Sequence, residues 1–162
     1  MITDLDKMHL RRCIELARTA VLSGDEPFGS ILVSGQGEIL FEDHNRVAGG
    51  DHTQHPEFAI ARWAANNMSV DQRLKATVYT SGEHCPMCAA AHGWVQLGRI
   101  VYAASSKQLT QWLAEFGVAR PRVRALPIDH IIEDTIADGP VLEFAEEIRE
   151  LHALKHRRQV KP

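Results

Sequence analysis

Asp51-His52-Thr53-Gln54-His55-Pro56-Glu57 and, further on, Ser81-Gly82-Glu83-His84-Cys85-Pro86-Met87-Cys88-Ala89 are the two stretches on which the reading of this chain turns. In each, metal-binding side chains stand where a polar segment gives way to a helical pattern. After His55 the apolar residues Phe58, Ile60, Ala61, Ala64 and Ala65 recur with helical spacing, and Asn66-Asn67 marks the exit. Pro86 opens a second helical run to Leu97; proline suits a first helical turn, where its missing N–H would be unpaired anyway. Ala76-Thr77-Val78-Tyr79-Thr80 and Ile100-Val101-Tyr102-Ala103 are β-branched and aromatic and read as strands.

Outward from this centre the alternation continues. Leu5 to Leu22 carries Leu5, Met8, Cys13, Ile14, Leu16, Ala17, Ala20 and Val21 on one helical face, and Ser23-Gly24-Asp25-Glu26-Pro27 ends it. Ser30-Ile31-Leu32-Val33 and Ile39-Leu40-Phe41 read as strands joined by a hairpin turn through Ser34-Gly35-Gln36-Gly37. Asp43 to Gln54 reads as a loop. Beyond residue 105, Lys107 to Phe116 reads as a helix and Ile128 to Ile132 as a strand. A closing helix is expected from Pro140 to Arg157, with Pro140 at its start. A hairpin followed by alternating helices and strands indicates an α/β layered domain. With 162 residues, a single domain over 1–162 is expected.

Composition narrows the class. The chain is 44% hydrophobic and 24% charged, in the range of globular proteins, and no apolar run approaches the roughly 20 residues of a membrane span. The start, Met1-Ile2-Thr3-Asp4-Leu5-Asp6, is acidic and polar, unlike a signal peptide, so a cytoplasmic location is the default expectation. A formal net charge of −3 gives no global attraction for nucleic acid, which is not expected as a partner. Lys155-His156-Arg157-Arg158 with Lys161 is a basic run that suits a solvated helix end. Cys13 reads as a small buried apolar residue.

Cys85 and Cys88 sit three positions apart at a helix start, where both thiolates can face one ion and the helix dipole favours their charge. Alone, that spacing equally fits a redox dithiol or half of a structural zinc site. His55 completes a His/Cys/Cys set that leaves the fourth zinc position open, as a catalytic site requires. Glu57, beside the ion but not on it, is placed to take and return protons. A closed structural zinc would need a fourth ligand, for which His84 and His92 are the candidates.

H-x-E followed by C-x-x-C is the zinc deaminase signature. On it the chain resembles the cytidine deaminase-like superfamily, and within it the branch of guanine deaminases, cytosine deaminases and tRNA-specific adenosine deaminases. The resemblance runs from about Asp4 to Tyr102 and includes Glu26-Pro27-Phe28-Gly29 and His44-Asn45-Arg46. It implies a three-layer α/β/α fold around a mixed sheet of about five strands. It also implies one Zn2+ per chain held by His55, Cys85 and Cys88, with Glu57 as proton shuttle, and a homodimer or larger homo-oligomer. Asn45 matches a position whose amide binds substrate; its alternative is a turn residue. Phe28 is implied to stack on the substrate ring, its alternative being a core role. The family usually has proline before the first cysteine, and this chain has His84, which either lines the pocket or is exposed. Glu83 is either a second carboxylate near the pocket or a solvated loop residue. Trp63, Trp94 and Trp112 read as packing residues on helical faces.

The expected reaction is hydrolytic removal of an amino group from a small nucleobase-like ring: guanine, cytosine or an amino-triazine. Adenosine in tRNA is the alternative; it requires a phosphate-binding surface, for which the terminal basic run is the candidate. A non-catalytic structural zinc module is the third reading.

Overall fold

The computed structural model describes residues 1–157, so Arg158 and Lys161 of the terminal basic run lie outside the described residues. One sheet is built from β1 (Gly29–Val33), β2 (Ile39–His44), β3 (Thr77–Gly82), β4 (Arg99–Ala104) and β5 (Ala137–Asp138), in the order β2-β1-β3-β4-β5. β1 is antiparallel to β2 and β3, whereas β4 is parallel to β3 and β5, so the sheet is mixed. The helices are α1 (Asp4–Leu22), α2 (Pro56–Asn67), α3 (Val70–Lys75), α4 (Pro86–Trp94), α5 (Ser106–Glu115) and α6 (Ala145–Arg157).

Side-chain alternation along the strands assigns the layers. Ile31, Val33, Tyr79, Val101 and Ala103 pack with Leu10, Cys13, Ile14 and Ala17 of α1 and with Ile148 and Leu151 of α6. Their neighbours Leu32 and Val78 face Ile60, Ala61 and Ala64 of α2, and Ile100 meets Ala89 of α4. The result is the expected α/β/α sandwich. β1 is buried at every residue because both sheet faces are covered, which is why it reads as an apolar run rather than an alternation. At Gly29 the approach is close: a Cβ there would stand 2.3 Å from the Cys13 carbonyl oxygen and 2.6 Å from the Ala17 nitrogen.

The register sets the position of the site. Gly29 pairs with His44, Ser30 with Thr80 and Gly82 with Ala104, so the start of β1 and the ends of β2, β3 and β4 meet at one edge of the sheet. α2 and α4 begin at that edge, the usual ligand side of an α/β sheet.

Three expectations are corrected. Ile128–Ile132 is not a strand: Ile128–His130 is a 3-10 turn, and the Ile132 N–H bonds the Ile128 carbonyl. Helical spacing therefore turns both isoleucines toward Ala89 and Ile100. The fifth strand is instead the two-residue β5. Pro140 does not start the last helix, because the Val141 N–H bonds the Ala103 carbonyl and keeps that segment on the sheet edge. A 3-10 turn at Leu142–Phe144 follows, and α6 starts at Ala145. α4 stops at Trp94, short of Leu97, and Gln96 takes a left-handed φ of 58° that turns the chain into β4. α3, not expected from the sequence, has no buried residue and so no apolar face to announce it.

Candidate active site

From α1 to α5 the helix starts divide into two kinds. α1, α3 and α5 are each sealed by a capping box, Thr3 with Asp6, Ser69 with Gln72 and Ser105 with Gln108. α2 and α4 have none: their N-cap residues are His55 and Cys85, neither side chain caps its helix, and each is followed by proline. Both side chains are thereby free to point away from their helices and toward each other.

They converge. Cys85 Sγ and Cys88 Sγ each lie 3.6 Å from His55 Nδ1, and the two sulfurs are 3.5 Å apart. Tetrahedral zinc with Zn–S of about 2.3 Å and Zn–N of about 2.0–2.1 Å needs S···N near 3.6 Å and S···S near 3.8 Å. The donor set and its spacing fit that ion closely. Neither His84 nor His92 joins the group. His92 Nε2 is 2.8 Å from the Gly98 carbonyl oxygen, so this ring is tied to the backbone. Three protein ligands therefore converge, the number that leaves zinc open to water.

Glu57, in the first turn of α2, is 5% exposed, and its Oε2 is 3.8 Å from Cys88 Sγ. Burial raises its proton affinity, opposed in part by His55. Thr80 Oγ1 donates to Glu57 Oε1 at 2.8 Å, and Ser30 Oγ donates to Thr80 Oγ1 at 2.8 Å. This buried relay fixes one carboxylate oxygen and leaves the other toward the ligand set. Ser30 and Thr80 escape a sequence reading because their meeting depends on the β1–β3 register. Their only local signal is a hydroxyl within an otherwise apolar strand.

Asn45 is 1% exposed. Its Oδ1 accepts from the backbone N–H groups of Glu26 and Val47 at 3.2 and 3.1 Å, while its buried Nδ2 has no partner among the described residues. The amide orientation is thus fixed, with the donor end unspent. Phe28 packs edge-on to His152 of α6 with centroids 5.2 Å apart, beneath Gly82. His84 is 1% exposed, so the exposed alternative is corrected. Its ring meets His92 edge-on at 5.4 Å, and burial holds it neutral. Glu83 is spent otherwise than expected: Oε2 accepts from Ser106 N–H at 2.7 Å and Oε1 from Ile128 N–H at 3.0 Å. Both oxygens clamp backbone, so this half-buried carboxylate ties the start of α5 and the Ile128 turn to the end of β3. Of the tryptophans, Trp112 is buried, Trp63 stacks on Phe41, and Trp94 is 86% exposed rather than packed.

Comparison with known proteins agrees with this geometry. Residues 3–104 match the family model for the cytidine and deoxycytidylate deaminase zinc-binding region. The chain is 31% identical over 121 residues to a probable cytosine deaminase of Schizosaccharomyces pombe, covering 74% of this chain and 73% of that protein. It is 36% identical over 97 residues to a guanine deaminase of Bacillus subtilis, with 59% and 62% covered. It is 33% identical over 104 residues to a tRNA-specific adenosine deaminase of Haemophilus influenzae, with 64% and 60% covered. For these last two, the match spans less than two thirds of the relative's length. A solved guanine deaminase from Nitrosomonas europaea shares the fold, with a TM-score of 0.67 at 20% identity over 94% of this chain and 86% of that one. The chain belongs to the cytidine and deoxycytidylate deaminase zinc-binding family of zinc-dependent deaminases. Among the described residues, no helix is long and apolar enough to cross a membrane.

Proposed function

We propose that this chain hydrolytically deaminates a free nucleobase or nucleobase-like heterocycle, with His55, Cys85 and Cys88 as zinc ligands and Glu57 as proton shuttle. The observation that carries the reading is the convergence of the three ligand atoms beside a buried carboxylate with one oxygen held by Thr80 and the other turned to Cys88. Zinc, when bound, supplies the Lewis acidity that makes water an effective nucleophile near neutral pH. Glu57 takes a proton from the attacking water and delivers it to the ring nitrogen beside the amino-bearing carbon, making that carbon electrophilic. Water adds there, Glu57 carries the second proton to the amine, and ammonia leaves as the ring carbonyl forms. The buried setting of Glu57 suits this exchange, because its raised proton affinity lies nearer the working pH. Asn45 Nδ2 is suited to donate to an acceptor on the ring edge, and a pocket built on such a bond discriminates strongly among near analogues.

A small-ring substrate is favoured by the net charge of −3, which gives no general attraction for a polyanion. One observation favours the second reading, adenosine in tRNA. Arg120-Pro121-Arg122-Val123-Arg124 is a second positive stretch besides the terminal run, and all three of its arginines are exposed. Phosphate contacts there would make turnover fall steeply with salt.

The test is ammonia release by the zinc-loaded protein from guanine, cytosine, adenine, their nucleosides, amino-triazines and a tRNA anticodon stem. Turnover of a free base supports the proposal; salt-sensitive turnover of the stem alone overturns the choice of substrate. Glu57→Gln is expected to keep its zinc and lose about a hundred- to ten-thousand-fold in rate. A near-normal rate would exclude the shuttle.

A further inference from the structure

A second group of metal-ligating side chains lies outside the His55/Cys85/Cys88 set. One ligand atom each from Glu26, His152 and His156 lies within 4.8 Å of the others. His152 and His156 are four residues apart on α6 and so share a helix face. Glu26 follows the turn that ends α1, and its backbone N–H is held by Asn45. Lys155 Nζ donates to the Gly24 carbonyl at 2.6 Å, which docks the last turn of α6 against that same turn.

The histidines are buried, at 2% and 9% exposure, and His152 Nδ1 and His156 Nε2 have no hydrogen-bond partner among the described residues. Ring contacts with Phe28, Trp112 and Phe116 satisfy their carbon edges but not these nitrogens. An unsatisfied buried polar atom costs on the order of 1–3 kcal/mol, and here two occur on one helix face beside a carboxylate. Burial also drives the His152 pKa down to about 3, so its ring is neutral and its lone pair available.

We propose that Glu26, His152 and His156 form a second metal site, taking a divalent first-row cation of the zinc class through two imidazoles and one carboxylate. That donor set, with positions left for water, is one zinc commonly accepts. Tetrahedral coordination needs ligand atoms about 3.3 Å apart. Binding therefore draws the three atoms together from their present spacing, by rotation of the half-buried Glu26 side chain. The site carries no thiolate and shares no ligand with the His55/Cys85/Cys88 set, although the Glu26 charge is felt at His55. It joins the end of α1 to the end of α6 over Phe28.

The test starts from the zinc-loaded enzyme and titrates it with Co2+, followed by absorption spectroscopy and elemental analysis. A second equivalent is expected, showing d–d absorption without the thiolate-to-metal charge-transfer band that cobalt at Cys85 and Cys88 would give. The melting temperature should rise as it binds. Glu26→Gln and His156→Gln, made separately, should each lose this second equivalent and its thermal shift while keeping the zinc at His55, Cys85 and Cys88. Glu26→Gln lies outside the helical core and keeps the experiment decisive if the histidine variant folds poorly. Uptake that stops at one equivalent in the wild type overturns the proposal. So does a second equivalent that survives in Glu26→Gln, or one that shows the thiolate band.

Discussion

The hydroxyl of Thr80 on β3 bonds the carboxylate of Glu57 on α2 at 2.8 Å, and its own oxygen is held by Ser30 of β1. A strand of the central sheet thus orients the acid–base group. Thr80→Val keeps the shape and removes the bond. A hydrogen bond to a charged group is worth about 1.5–3 kcal/mol, so kcat should fall roughly 10- to 100-fold with zinc content unchanged. Steady-state kinetics with metal analysis checks this, and an unaltered kcat would remove Thr80 from the machinery.

Zinc affinity should depend on pH, with a sign set by the metal-free cluster. Contact with Cys88, and then with His55, outweighs burial and holds the Cys85 thiol down to about 4. Cys88 is pushed up, by Cys85 first and then by burial. Burial lowers the proton affinity of His55, but the adjacent Cys85 more than restores it. At pH 7 the cluster therefore still holds a proton on Cys88, which binding must expel, and the raised proton affinity of His55 acts in the same sense. Affinity should weaken roughly tenfold or more per pH unit between pH 8 and 6 in chelator competition. Calorimetry in buffers of different ionisation enthalpy should detect the released protons. A flat profile would contradict this proton inventory.

Asp6 couples acid stability to the first helix. Its carboxylate accepts from Tyr79 Oη at 2.8 Å, from Arg99 Nη1 at 2.8 Å and from the Thr3 backbone N–H at 2.8 Å. Burial acts to raise its pKa, but the Arg99 guanidinium and the bonds from Thr3 and Tyr79 together bring it far below the usual carboxylate value. A lowered folded pKa stabilises at pH above the unfolded value, near 4, and the contribution is lost as pH falls below that. Asp6→Asn should cost about 2 kcal/mol at pH 7 and flatten the loss of stability below pH 4, as read by denaturant melts at both ends. Equal acid sensitivity in the variant would assign that loss to other carboxylates.

Gly29→Ala should destabilise by packing alone. Its Cβ would meet the Cys13 carbonyl oxygen at 2.3 Å and Leu16 Cβ at 2.5 Å, backbone and helix stem that cannot swing aside. Overpacking of this kind costs about 1–3 kcal/mol or more, a fall in Tm of roughly 2–12 °C at this size. Scanning calorimetry checks it. A Tm within a degree of wild type would mean that α1 yields more easily than its packing implies.

What the sequence discloses follows physical locality. His55, Glu57, Cys85 and Cys88 are legible because each pair is close in sequence and the helix start that positions it is signalled by the next proline. The long helices are legible from periodicity, and β1 to β4 from short apolar or β-branched runs. β5 is too short to carry a period, and Ile128–Ile132 misleads because four-residue spacing of isoleucines serves a single helical turn as well as a strand. The Thr80–Glu57 bond, and the approach of His152 to Phe28, join residues whose proximity depends on register and on α6 docking. Neither is written in any local stretch. Glu83 shows the same limit in reverse: its neighbours suggest a pocket, while its partners, the amides of Ser106 and Ile128, lie far along the chain.

That clamp carries a consequence for how such an enzyme can diversify. Glu83, two positions before Cys85, grips the chain beyond residue 104, where the family match stops, through main-chain N–H groups alone. Most replacements at 106 and 128 would still present that N–H, proline being the exception. The later segment can therefore exchange side chains, including those α6 brings beside Phe28, while its point of attachment stays unchanged. The last third of the chain can vary in this way while the His55, Glu57, Cys85 and Cys88 arrangement in the first two thirds is inherited intact.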